Sequence, residues 1–213
     1  VNPDEIIRDY GADTLRLYEM FIGDFEKSAP WSQASIRGCK RFLERFAALT
    51  DMVQTGEVSP ALESSLHKVI KKVTEDIDAM KFNTAIASMM AFINEVYDHG
   101  GLTKQELEIF AKLLCPFAPH LCEEMWQHLG GKGLASLAAW PEYDESKTVD
   151  ESVEIAVQVN GKLRSTIVIP ADADKEKAVA LARADEKVAS MTDGKTTVKE
   201  IYVPGKLVNI VVK

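Results

Sequence analysis

The chain has 213 residues, 46% of them hydrophobic, and a formal net charge of −8. That is enough apolar material for one large or two modest cored domains, and no apolar run approaches the ~20 residues of a membrane span. An acidic balance argues against a wholesale nucleic-acid coat, but residues 1–145 carry 14 basic and 23 acidic side chains while 146–213 carry 11 and 10, so the C-terminal part is the better partner for a polyanion.

Asn2 or Asp4 caps an opening helix that Gly11 breaks, and Asp13 is placed to cap a second over residues 14–22, with Leu15, Tyr18 and Phe21 or Ile22 inward. Over residues 31–55, Ile36, Cys39, Phe42, Leu43, Phe46, Leu49 and Val53 fall on one side of a long helix at ~100° per residue, with Arg37, Lys40, Arg41 and Arg45 opposite. A turn at 57–60 leads to a helix over 61–81 that buries Leu62, Leu66, Val69, Ile70, Val73, Ile77 and Met80. Its outer side carries His67, Lys68, Lys71 and Lys72, then Glu75, Asp76 and Asp78. A third helix spans 82–98, and its Asn94 needs a hydrogen-bond partner if buried. Gly100-Gly101 ends it. Thr103-x-x-Glu106 is a capping box for a fourth, which Pro116 closes. Pro119 opens the next helix, with Glu123 and Glu124 early in it, Leu121, Met125 and Leu129 at four-residue spacing, and Gly130-Gly131 as its stop.

Residues 134–148 read as a strap and linker, with 142–152 polar and acidic, as suits an exposed boundary. Gly130, Gly131 and Gly133 make no phosphate loop, because no strand precedes them and no lysine-serine pair follows. Cys39, Cys115 and Cys122 suit buried positions in a reducing compartment; Cys115, His120 and Cys122 have no fourth metal ligand nearby. From Val153 the apolar period becomes two. Asn160-Gly161 makes a type I′ hairpin, residues 175–191 an amphipathic helix, and Pro204-Gly205 a second hairpin turn, giving ββαββ. Lys162 and Arg164 stand at alternate strand positions, so both leave one sheet face. Lys206 follows the second turn.

The Ala118-Pro119-His120 and Glu123-Glu124-x-Trp126 elements resemble the last helix of the anticodon-binding bundle of class I aminoacyl-tRNA synthetases of the leucine, valine, isoleucine and methionine group. Asp4-Glu5-Ile6-Ile7 and Tyr10-Gly11-Ala12-Asp13-Thr14-Leu15-Arg16 resemble the segment after that family's lysine-serine loop. Gln158-Val159-Asn160-Gly161-Lys162-Leu163-Arg164 and the stretch 203–211 resemble the C-terminal domain of the bacterial leucine-specific members, an ending the other three lack. The resemblance implies an α+β chain: a stem-contact segment (1–30), an all-α anticodon-binding bundle (31–145) and a ββαββ tRNA-binding domain (150–213).

What the resemblance further implies is a fragment with no catalytic residue, metal or cofactor of its own, belonging to a ligase that attaches leucine to tRNA(Leu). ATP and Mg2+ would serve catalytic domains upstream, beside an editing domain. The implied tRNA contacts are Arg37, Lys40, Arg41, Arg45, Lys68, Lys71, Lys72, Asn160, Lys162, Arg164, Lys206 and Asn209. Those of the C-terminal domain would be made to the tRNA corner and long variable arm, mostly by backbone and shape, and the bundle, despite its name, would not read the anticodon. A cytoplasmic monomer without membrane contact is expected. The alternative is a freestanding helical scaffold that binds protein and not RNA, which the acidic bundle fits.

Overall fold

The computed structural model describes residues 1–23, 28–56, 60–148 and 152–213. The chain divides into Val1–Thr148 and Val149–Lys213, each with its own core. No helix among the described residues is long and apolar enough to cross a membrane.

In the first unit α1 (Pro3–Tyr10) is capped by Asn2, whose side chain accepts the Asp4 amide at 3.1 Å. Helix α2 (Ala12–Phe21) starts from Gly11 with no side-chain cap, and Leu17 and Tyr18 face the core. Asp13 therefore does not cap its own helix. Helix α3 (Gln33–Ala47) buries Ile36, Cys39, Phe42, Leu43 and Phe46, as the spacing predicts, but it stops earlier than residue 55. Ala48–Met52 tightens to a 3-10 turn, and β1 (Val53–Gln54) pairs in parallel with β2 (Leu102–Thr103). That pairing requires Gly101, since a Cβ there would lie 2.5 Å from the Met52 carbonyl oxygen.

Helix α4 (Pro60–Asp78) and α5 (Phe82–His99) pack side by side. The turn expected at 57–60 falls outside the described residues, apart from Pro60, the first residue of α4. Two residues near the end of α4 depart from expectation. Met80 adopts a φ of 57° and is 63% exposed, not buried. Asp76 is buried, accepting Lys72 Nζ at 2.7 Å and the Thr84 hydroxyl at 2.6 Å. Helix α6 (Lys104–Leu114) has the predicted capping box, and α7 (Pro119–His128) buries Cys122, Met125 and Trp126. Phe110 makes edge contacts with Phe46 and Phe92 at 5.1 and 5.2 Å, linking α6 to α3 and α5.

The strap after α7 is held rather than free as far as Thr148. Glu123 accepts the Ala135 and Ser136 amides, Trp140 Nε1 donates to Thr74, and His67 Nδ1 accepts the Asp144 amide. Lys71 and Lys147 pair with Glu145 and Glu63, both at 2.6 Å.

The second unit is a four-stranded sheet in the order β4-β3-β6-β5, with β3 (Ser152–Val159), β4 (Lys162–Pro170), β5 (Thr197–Val203) and β6 (Leu207–Val212). Asn160 and Gly161 turn the first hairpin with φ of 50° and 75°, as a type I′ turn needs. The helix expected over 175–191 is two, α8 (Lys175–Ala184) and α9 (Glu186–Thr192). Asp185 breaks the run with ψ 128° and caps α9 through the Lys187 and Val188 amides. Ile155, Val157, Val159, Ile169, Val208, Ile210 and Val212 pack beneath these helices against Ala178, Val179, Ala182 and Val188. The other sheet face is uncovered within the unit.

Candidate nucleic-acid interface

On the bundle, the cations proposed for tRNA contact separate by what they already touch. Arg37 and Arg41 lie one turn apart on α3, exposed, with no hydrogen bond or ion pair among the described residues. Lys40 is 4.0 Å from Glu44 and 5.8 Å from the Tyr10 ring centroid. Arg45 is pinned across to α5: it donates to Asn94 Oδ1 at 2.7 Å, and its guanidinium sits 4.3 Å from the Tyr97 ring centroid. Asn94 is exposed, so Arg45 rather than burial decides its partner.

Lys68, Lys71 and Lys72 line a groove of about 600 Å³ along α4 and α5, with Glu75 and Glu95 also in its wall. The Glu145 hydrogen bond raises the Lys71 ammonium pKa above its ordinary value. Lys72 is committed to the buried Asp76 carboxylate, and Lys68 has an intramolecular interaction as well. An arriving phosphate would have to displace these carboxylates or lie beside them, so this face offers little free positive charge.

In the second unit both asparagines serve the fold. Asn160 Oδ1 accepts the Val212 amide at 2.9 Å and its Nδ2 donates to the Val212 carbonyl, while Asn209 Oδ1 accepts the Gly161 amide at 3.1 Å. Asn209 Nδ2 keeps no hydrogen-bond partner among the described residues. Lys162, Arg164 and Lys206 are exposed with no partner among the described residues.

The shared-face argument for Lys162 and Arg164 fails for a specific reason. Register runs Val157 to Ser165 but Gln158 to Leu163, a β-bulge that leaves Arg164 without a cross-strand partner and breaks the alternation. Register instead sets Lys162 opposite Val159.

Cross-strand partners share a face. The open face therefore carries Glu154, Ala156 and Gln158, with Leu163, Thr166 and Val168 on one side and Leu207, Asn209, Val211, Lys199, Ile201 and Val203 on the other. Leu163 and Val168 are 62% and 65% exposed. Glu154 is the one acidic strand residue on this face among those described; Glu200 is on the helix side, where Arg183 holds it at 2.6 Å. Asp172, Asp174, Glu176, Asp185, Glu186 and Asp193 lie in the helices and their loops. The open face of the second unit is thus an aliphatic floor with Lys199 among its strand residues. Lys199, missed in sequence, stands at alternate positions with Ile201 and Val203, the pattern that would have found it.

Among the described residues no group of His, Cys, Asp and Glu is placed to hold a metal. The glycines after α7 do not fit a nucleotide: a Cβ on Gly131 would come 2.2 Å from the Trp126 indole, so that glycine serves packing. Burial alone would raise the Glu123 carboxyl, but hydrogen bonds from Ser136 and Ala135 outweigh it and hold the pKa low, as suits a clamp on the strap.

The family described as the anticodon-binding domain of tRNA ligase matches residues 60–180. The chain belongs to that family, and its α+β fold is the one the motifs around α7 and the hairpins imply. Over its whole length it is 52% identical to the leucine–tRNA ligase of Alkaliphilus oremlandii and 45% identical to that of Herpetosiphon aurantiacus. It spans 27% and 28% of those relatives, about a quarter of their length. Among solved structures it is similar, with a TM-score of 0.75 and 27% identity, to the LeuRS of Agrobacterium radiobacter in a ternary complex with tRNA and LeuAMS, covering 100% of this chain and 30% of that one.

Proposed function

We propose that this chain is the tRNA-binding, non-catalytic C-terminal part of a leucine–tRNA ligase, the enzyme that joins leucine to tRNA(Leu) with ATP. The observation that carries the reading is the end-to-end match, bundle and sheet unit together, to a LeuRS solved with tRNA. ATP and Mg2+ serve the catalytic part of the longer protein, which with its editing domain is this chain's covalent neighbour; the enzyme works as a cytoplasmic monomer. The bundle is the segment 31–145 and the tRNA-binding sheet domain the segment 150–213, after a stem-contact segment over 1–30.

Within the chain, Arg37 and Arg41 on α3, and Lys162, Arg164 and Lys206 around the hairpin turns, are the phosphate contacts. Exposed cations with no partner among the described residues lose least on meeting a phosphate, whereas Lys71, Lys72 and Arg45 would first give up an existing one. A titration of tRNA(Leu) into the chain at two salt concentrations tests the reading. Binding that weakens as salt rises supports it. No binding at either salt would sink it in favour of a protein-binding scaffold.

A further inference from the structure

Helix α7 begins without a capping side chain of its own, since Ala118 stands at its N-cap. The cap comes from α2. Asp13 Oδ2 accepts the Leu121 amide at 2.8 Å, and Oδ1 accepts the His120 amide at 3.4 Å and lies 2.7 Å from His120 Nδ1. One turn further along α2, Arg16 Nη2 donates to the Pro116 carbonyl at 2.9 Å. Amides and a carbonyl left open by the α6–α7 turn are thus met by two side chains about 100 residues upstream. Asp13 is 11% exposed and His120 77%, so the carboxylate is enclosed by the contact while the imidazole stays outside. The same helix holds the start of α3, where the Tyr18 hydroxyl accepts the Ser32 amide at 2.8 Å.

We propose that Asp13 is a positioning residue. By capping α7 from α2 it ties the bundle to the α1–α2 pair, and so sets where a tRNA held by this chain places its acceptor end. This rests on reading the chain as the C-terminal part of a leucine–tRNA ligase, in which α1 and α2 lead in from the catalytic part. A cap built into α7 itself would stabilise the helix equally well; a cap supplied from another element also fixes the distance and angle between the two. Loss of that restraint leaves activation of leucine and tRNA binding intact and misplaces the acceptor end during transfer.

The test uses the full-length ligase carrying Asp13→Ala, Arg16→Ala and the double variant Asp13→Ala/Ala118→Ser, whose serine offers α7 a local cap. A misplacement of about 1 Å costs up to ~100-fold in rate, so Asp13→Ala should lower the kcat of tRNA charging by about tenfold. Leucine-dependent pyrophosphate exchange and the Kd for tRNA should stay within about twofold. The double variant should regain the Tm lost by Asp13→Ala without regaining kcat, and Arg16→Ala should lower kcat in the same direction. Recovery of kcat together with Tm would make Asp13 a local cap only and overturn the proposal, as would wild-type charging by Asp13→Ala. Should Asp13→Ala not fold, Asp13→Asn, which keeps one acceptor oxygen, goes through the same measurements with an expected loss of about threefold and the same overturning result. A wild-type enzyme that charges no tRNA with leucine would sink the ligase reading itself; a wild-type that charges alongside variants of equal kcat would sink the Asp13 proposal alone.

Discussion

The separation of engaged from free cations makes a quantitative demand on tRNA binding. In the full-length enzyme, alanine at Lys162, Arg164 and Lys206 removes three ammonium or guanidinium groups that touch nothing else among the described residues. Each lost phosphate contact reduces the magnitude of the log-affinity versus log-salt slope by roughly 0.7–0.9, so the triple variant should lose about 2–3. Between 50 and 200 mM salt the wild type should therefore lose about 20- to 40-fold more affinity than the variant. At a fixed moderate salt, Lys162→Ala/Arg164→Ala alone should weaken binding by about tenfold, or about 1.4 kcal/mol. Lys71→Ala is the internal control, because its ammonium lies 2.6 Å from Glu145 and the strap's carboxylate already balances it. Its slope should match wild type within error. Filter binding or fluorescence titration over five salt concentrations measures all of these, and pyrophosphate exchange should be unchanged in every variant. A triple variant with the wild-type slope, or an equal slope loss in Lys71→Ala, would refute the reasoning.

Three further outcomes test the packing and the titrating groups. Gly131→Ala should destabilise the bundle by about 1–3 kcal/mol in urea unfolding, because its Cβ meets the Trp126 ring and overpacks the end of α7; an unshifted midpoint counts against that contact. The Ser165 hydroxyl, donating at 2.7 Å, holds the Asp185 carboxyl below its ordinary pKa. A depressed folded pKa means stability that is present above the unfolded value near 3.9 and lost as pH falls through the folded one. Ser165→Ala should raise the Asp185 titration seen by NMR and move the acid loss of α9 to higher pH; an unchanged titration would refute the link. Burial pushes the Cys39 and Cys115 thiols up to about 11 and raises Cys122 as well. Iodoacetamide at pH 8 should leave all three unmodified in the native chain and alkylate them in urea, and rapid native alkylation would contradict their burial.

What the sequence discloses here depends on how far a side chain's partner lies along the chain. The capping box of α6 was readable because Thr103 and Glu106 satisfy each other within one turn, and the faces of α3 and α4 because burial repeats every three or four residues. Local spacing makes Asp13 the cap of its own helix, because that is the nearest set of open amides. The amides it meets belong to α7, more than 100 residues on, and no local pattern announces them. The same holds for charge. Spacing places Arg37, Arg41 and Arg45 on one face of α3, but only folding brings Asn94 and Tyr97 to Arg45 and leaves the other two without a partner among the described residues. Lys71 is a surface cation by periodicity and a neutralised one once Glu145 returns along the strap. In the sheet unit, alternation identified the buried face yet could not show the extra residue of the bulge, which shifts everything beyond it by one position. The groups that decide an electrostatic interface are thus the ones whose availability is set by distant segments. The hydrophobic frame that carries them is set locally, and for that reason it was legible first.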